Sequence, residues 1–168
     1  MTQLPLTDFV GRVVTSSERV QFSQVDPYGH LNASRYSEFF VNHRITAVED
    51  QLQVSTVDLA KNLNVGFFVA RLDIRYLAPC FLGEICEIAS WVQTLSDGGF
   101  DLHITLIGLK NRKVRASGVM EIKTVDASTG KPVRCPAALP SRATTNVLAE
   151  RPTSTEYLAT LQTSPRFA

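Results

Sequence analysis

The residues best equipped for chemistry crowd into one stretch, residues 25–40 (VDPYGHLNASRYSEFF), where an Asp, a His and an Asn fall at positions 26, 30 and 32. A turn alone would use Asp26, Pro27 and Gly29 but has no need of His30. A helix cap alone would use Asn32 or Ser34 but has no need of an acid six residues upstream. Together the three types offer more. A carboxylate can act as nucleophile or general base, and an imidazole can orient it or a water. The unpaired amides of a helix start can polarise a carbonyl. Each residue also has an ordinary explanation. Asp26 can simply make the turn, His30 can bond a backbone carbonyl, Asn32 can cap a helix, and Tyr36 with Phe40 can belong to a core.

These groups need a strand to end and a helix to begin around them. Residues 19–25 (RVQFSQV) alternate polar and apolar, which predicts a short strand ending at Asp26. A helix capped by Asn32 or Ser34 is expected to run to about Leu52. In it Val41, Ile45, Val48 and Leu52 form one apolar stripe, and Ala33, Tyr36, Phe40 and Ala47 widen it. A helix apolar over so much of its girth is expected to be wrapped by other structure. In residues 65–77 (VGFFVARLDIRYL) the period becomes two, with Leu72, Ile74 and Tyr76 on one face and Arg71, Asp73 and Arg75 on the other. Residues 84–94, 100–109 and 113–126 predict three further strands, joined by turns at 79–83, 96–99 and 110–112.

One strand, one helix and four antiparallel strands make an α+β fold with the helix packed across one sheet. Such a sheet has open edges and only one helix to cover it, so association that continues the sheet between subunits is expected. Residues 1–140 read as one domain. Residues 141–168 read as a polar, loosely attached C-terminal extension with a short helix at 154–161.

Composition narrows the function classes. The 168 residues suit one domain, 44% of them hydrophobic and 20% charged, as in ordinary globular proteins. A formal net charge of +1 gives no global field to draw nucleic acid or an anionic membrane. Cys80, Cys86 and Cys135 are an odd set without metal-ligand spacing, and with three scattered histidines they predict no metal site. His43 and His103 read as structural. No run approaches the roughly 20 apolar residues of a membrane helix, and no targeting segment is evident, so a cytoplasmic protein is expected.

The stretch DPYGHLNASRYSEF resembles the D-x-x-x-H-V-N-N-x-x-Y-x-E-F signature of acyl-CoA thioesterases with the hotdog fold, the 4-hydroxybenzoyl-CoA thioesterase-like family. Asp26, His30, Asn32, Tyr36, Glu38 and Phe39 carry the match, and Asp26-Pro27 with Gly29 looks like the family's D-P-x-G. RLDIRYLAPCFLGEICEI is similar to its strand, Tyr-x-x-Pro turn and following strand, and VDASTGKPVRCP to its closing segment. The likeness covers about residues 15–138. It implies a hotdog fold, a long antiparallel sheet wrapped around one central helix, and hydrolysis of an acyl thioester to free acid and CoA.

The resemblance makes Asp26 the catalytic carboxylate, nucleophile or general base, supported by His30 and Asn32. Amides around Asn32, Ala33 and Ser34 would hold the oxyanion, Tyr36 would face the acyl group, and Arg71 and Arg75 compete with the basic hairpin LKNRKVR (residues 109–115) for the CoA phosphates. It implies no cofactor, and a homodimer or dimer of dimers with acyl-CoA, or an acyl carrier protein, as substrate. The chain departs from the pattern at Gln24, where many relatives have a second Asp; at Ala33, in place of a second Asn; and at Val41, where many carry a Glu. The last two departures keep a non-catalytic acyl-binding module as an alternative.

Overall fold

Helix α1 (Ala33–Leu52) begins where Asn32 caps it, the side-chain oxygen accepting the Ser34 amide at 3.1 Å, and stops at Gln53 in the left-handed conformation (φ 52°). The computed structural model describes residues 2–143 and 150–163. Within them a five-stranded antiparallel sheet wraps around α1 in the order β2-β4-β5-β6-β3. Its strands are β2 (Val14–Arg19), β3 (Val65–Tyr76), β4 (Ile85–Ser96), β5 (Gly99–Gly108) and β6 (Lys113–Asp126). The fold is α+β of the hotdog type. No helix among the described residues is long and apolar enough to cross a membrane.

The inner face of the sheet supplies Ile88, Leu102, Ile104, Leu106, Met120 and Ile122, and α1 supplies Tyr36, Phe39, Phe40 and Leu52 to the same cluster. Burying each such side chain is worth about 2 kcal/mol. Gly118 of β6 lets the layers close: a Cβ there would lie 2.5 Å from the Asp73 carbonyl of β3 and 3.5 Å from the Phe40 ring.

Four elements depart from the expectation. The first sheet strand lies at Val14–Arg19, earlier than residues 19–25, which instead carry a single 3-10 turn (Phe22–Gln24) closed by the Gln24 side chain on the Gln21 amide (2.8 Å). The alternation misled because Phe22 is 82% exposed and makes no sheet face. Helix α2 (Thr56–Leu63) follows α1 after a short turn, capped by Ser55 on the Asp58 amide, with Glu49 of α1 accepting the Thr56 amide at 2.8 Å. At eight residues it is too short to show a clear period. A two-stranded sheet pairs β1 (Thr2–Pro5) with β7 (Ala138–Ser141), tying the two ends of the domain together.

The fourth departure is the extension. Helix α3 (Ser154–Thr163) seats the buried Tyr157 on the outer face of the main sheet with Val13, Ala89, Trp91 and Ile107, and the Tyr157 hydroxyl donates to Glu87 at 2.5 Å. Loose attachment is therefore corrected for this helix: it covers an apolar patch that the sheet would otherwise expose. Residues 144–149 and 164–168 of the expected extension lie outside the described residues.

Candidate active site

The segment between β2 and α1 is a tight turn built by Asp26. Its Oδ1 accepts the amides of Tyr28 (2.9 Å) and His30 (3.0 Å), while its own amide donates to the His30 carbonyl at 2.8 Å. Gly29 sits at φ 77°, a conformation glycine adopts without strain. Asp26 Oδ2 has no hydrogen-bond partner among the described residues, so one carboxylate oxygen is fixed and the other presented.

Of the three amides expected to hold an oxyanion, two have acceptors. The Asn32 amide donates to the Gln24 carbonyl at 2.9 Å and the Ser34 amide to the Asn32 side chain. The Ala33 amide, first of α1, has no acceptor among the described residues. It adds the positive end of the helix to an unpaired N–H. Asn32 is thus a cap, and its side chain also takes the Ser34 hydroxyl at 3.0 Å.

A loop between β3 and β4 presses on this turn, a support that the sequence reading missed. The Leu31 amide donates to the Cys80 carbonyl (2.8 Å) and the Leu82 amide to the Gly29 carbonyl (3.1 Å), and the Phe81 ring meets His30 edge-on at 5.1 Å. Glu84 holds that loop. One of its oxygens takes Nε and Nη2 of Arg115 at 3.0 and 2.5 Å and the other takes the Phe81 amide at 3.0 Å. The Tyr-x-x-Pro turn at residues 76–79 was the available signal. Glu84 also lies near the thiols of Cys80 and Cys86, with ligand atoms within 4.8 Å of one another, but both of its oxygens are already taken. A hydrogen bond to Cys80, with burial, pushes the Cys86 thiol up. The trio reads as packing.

Tyr36 is buried and meets the Tyr76 ring edge-on at 5.1 Å, and burial raises its phenol well above the ordinary value. Tyr76 in turn donates to the Ala33 carbonyl at 3.2 Å, linking the end of β3 to the start of α1. The structure therefore brings Asp26, His30, Asn32, Ala33, Ser34 and Tyr36 into one turn-and-helix start. Arg71 and Arg75 do not join them. They are exposed on the face of β3 opposite Tyr76, and Arg71 is paired with Asp73 at 3.0 Å. In the basic hairpin, Arg112 pairs with Glu87 and Arg115 with Glu84. Glu38, exposed, pairs with Arg35, and Val41 packs against the core.

An antiparallel sheet wrapped around one long helix is the hotdog fold, and it is the chain's family that makes it a thioester hydrolase. The chain belongs to the thioesterase-like superfamily, whose model matches residues 20–143. It is 27% identical over 115 residues to the long-chain acyl-CoA thioesterase FadM of Escherichia coli (strain K12), covering 67% of this chain and 83% of that one. The fold is shared with a DHNA-CoA thioesterase from Staphylococcus aureus (TM-score 0.65, 19% identity, 73% of this chain and 80% of that one). It is shared too with another Staphylococcus aureus protein, solved in complex with CoA (TM-score 0.67, 13% identity, 95% and 90%).

Proposed function

We propose that this thioester hydrolase acts on acyl-CoA, with Asp26 as nucleophile or general base and the Ala33 amide as oxyanion donor. The observation that carries the reading is the division of labour within Asp26: Oδ1 is held by two amides and Oδ2 is left without a partner among the described residues. As nucleophile, Oδ2 adds to the thioester carbonyl, the C–S bond breaks, and the thiolate leaves and takes a proton. Water then cleaves the acyl-aspartyl anhydride and restores the carboxylate. As base, Oδ2 takes a proton from water as the water oxygen adds, and returns it to the departing sulfur. Both routes give the same acid and thiol.

The acyl-CoA substrates of the E. coli relative and the CoA in one structural relative support CoA over a carrier protein. A groove beside the site offers it a place: Phe81, which touches His30, opens onto a surface shared with Leu82, Ile85, Leu109 and Lys110. A homodimer through β3 completes the reading, since β3 is an edge strand and carries Phe68 62% exposed. Three free cysteines suit a reducing cytoplasm. The test is thiol release from short, medium, long and aromatic acyl-CoAs and from one matched acyl carrier protein, alongside the mass of the particle in solution. Turnover of CoA thioesters by a dimer or tetramer is expected; no release from any of them would overturn the proposal.

A further inference from the structure

Behind the C-terminal half of α1 lies a partly open cavity of about 200 Å³, bounded by α2, the start of β3 and the inner face of β4 and β5. Phe9, Leu59, Phe67, Phe100 and Leu102 make its walls largely apolar. Into this lining come two polar side chains with unmet needs: Arg44 Nε and Gln51 Nε2 are buried and have no hydrogen-bond partner among the described residues. Gln51 is only 2% exposed. Arg44 makes one long bond, from Nη1 to the Phe67 carbonyl at 3.3 Å. Arg12 also lines the cavity and gives Nη1 to the Arg151 carbonyl at 3.0 Å. Among the described residues no Asp or Glu lines it; Arg12 has Glu156 as an electrostatic partner, which leaves Arg44 as the guanidinium that faces the apolar space without an ion pair.

An unpaired buried donor costs about 1–3 kcal/mol, and a buried cation without an anion costs more. Burial lowers the Arg44 pKa from its ordinary value, as expected of a cation that has lost water and gained no partner. Water is a poor remedy, since it brings no charge and the hydroxyls of the lining, Thr56 and Ser90, are already bonded to Glu49 and His43. The missing group is an acceptor with negative charge, attached to something apolar. We infer that this cavity binds a free carboxylic acid with a compact apolar body, the carboxylate on Arg44 and Gln51 and the body between Leu59 and Phe100.

Size bounds the body. An engineered apolar cavity of roughly 150 Å³ holds benzene, so this one takes a single ring or a chain of about eight carbons. The site is separate from the catalytic turn, because Arg44 stands eleven residues along α1 from Ala33, about 16 Å at the rise of a helix. Thioester hydrolysis releases an acid of this class, so the enzyme's own product would fill the cavity as it accumulates; that consequence, though not the site, rests on the hydrolase reading.

The test is calorimetric titration of the full chain with octanoate and with benzoate, beside octan-1-ol and octylamine, on wild type, Asp26→Asn, Arg44→Met, Gln51→Leu and Ala60→Leu. One equivalent of acid should bind to wild type and to Asp26→Asn alike. Arg44→Met should weaken it at least tenfold and Gln51→Leu several-fold. Ala60→Leu, which fills the cavity and leaves Arg44 in place, should weaken it too and covers the case in which Arg44→Met fails to fold. The inference is overturned by no saturable binding up to millimolar acid, by binding that both Arg44→Met and Ala60→Leu retain, or by the alcohol or amine binding as well as the acid. Loss of binding in Asp26→Asn would place the acid in the catalytic turn and overturn it as well, whatever that variant does to turnover.

Discussion

Asp26 and His30 hold each other through the backbone: the Asp26 carboxylate accepts the His30 amide at 3.0 Å and the Asp26 amide donates to the His30 carbonyl at 2.8 Å. The carboxylate therefore has a structural task and a proposed chemical one, and two substitutions separate them. Asp26→Asn keeps an acceptor for the amides of Tyr28 and His30 and should change stability by about 1 kcal/mol or less. Its turnover should fall by roughly a hundredfold to ten-thousandfold, because charge and basicity are gone. Asp26→Ala should lose the same activity and an additional 1–3 kcal/mol or so, because two amides lose their acceptor. Thermal melts and kcat on the best acyl-CoA check both. An Asp26→Asn protein within a few-fold of wild type would leave Asp26 to the turn alone.

His43 gives the fold a pH dependence of known sign. It is buried on α1 between Ser16 (2.7 Å) and Ser90 (2.8 Å), and desolvation pushes its pKa down to about 4 from 6.5. In the unfolded chain the imidazole takes its proton near 6.5. Between these values the unfolded state binds more protons, so stability should be constant above about pH 6.5 and fall as pH drops towards 4. The full loss is about 3 kcal/mol. His43→Asn, which can still bond both serines, should flatten that slope. Urea midpoints at pH 7 and 4.5 for both proteins decide it, and parallel declines would mean that other groups carry the acid sensitivity.

How much of this was legible depended on whether a residue's role is local. The cap at Asn32, the alternation of Leu72 with Asp73 and the Asp97-Gly98 turn are set by neighbours in sequence, and they placed α1 and four of the five strands of the main sheet. Phe22 alternates as a strand residue should, yet no strand lies beside it to make a face, which only the fold decides. The site divided the same way. Asp26, His30 and Asn32 were visible together because one turn holds them. That the Asn32 and Ser34 amides already have acceptors follows from Gln24 and from the cap, which spacing alone does not reveal. Glu84 and Arg115, 31 residues apart, gave no signal until β4 and β6 brought them together.

Tyr157 tests whether the extension belongs to the domain. Its ring covers Val13, Trp91 and Ile107, and its hydroxyl donates to Glu87, which also takes Arg112 at 2.9 Å. Tyr157→Phe should cost about 1 kcal/mol, since Arg112 still serves Glu87. Tyr157→Ala should cost about 3 kcal/mol or more and bare the apolar patch on the sheet. Denaturant melts and the fluorescence of Trp91, the single tryptophan, report both. Unchanged Trp91 emission in Tyr157→Ala would mean that α3 is not seated on the sheet.

The Glu84–Arg115 pair should matter to the site through the loop that it holds. Both side chains are nearly buried, at 12% and 9% exposure, so removing one partner strands the other's charge. Glu84→Gln should destabilise the fold by about 3 kcal/mol, with Arg115→Met close to it. The double variant should be markedly less unstable than the two losses added, because no charge is left uncompensated, with a coupling of about 1–3 kcal/mol. Glu84 also accepts the Phe81 amide, and Phe81 touches His30, so loosening this loop should lower kcat in Glu84→Gln. A double-mutant cycle by chemical denaturation measures the coupling, with kcat read at a temperature where every variant is folded. Additive stabilities would show that the pair acts as two separate residues, and an unchanged kcat would show that the 77–84 loop does not steady the turn proposed to be catalytic.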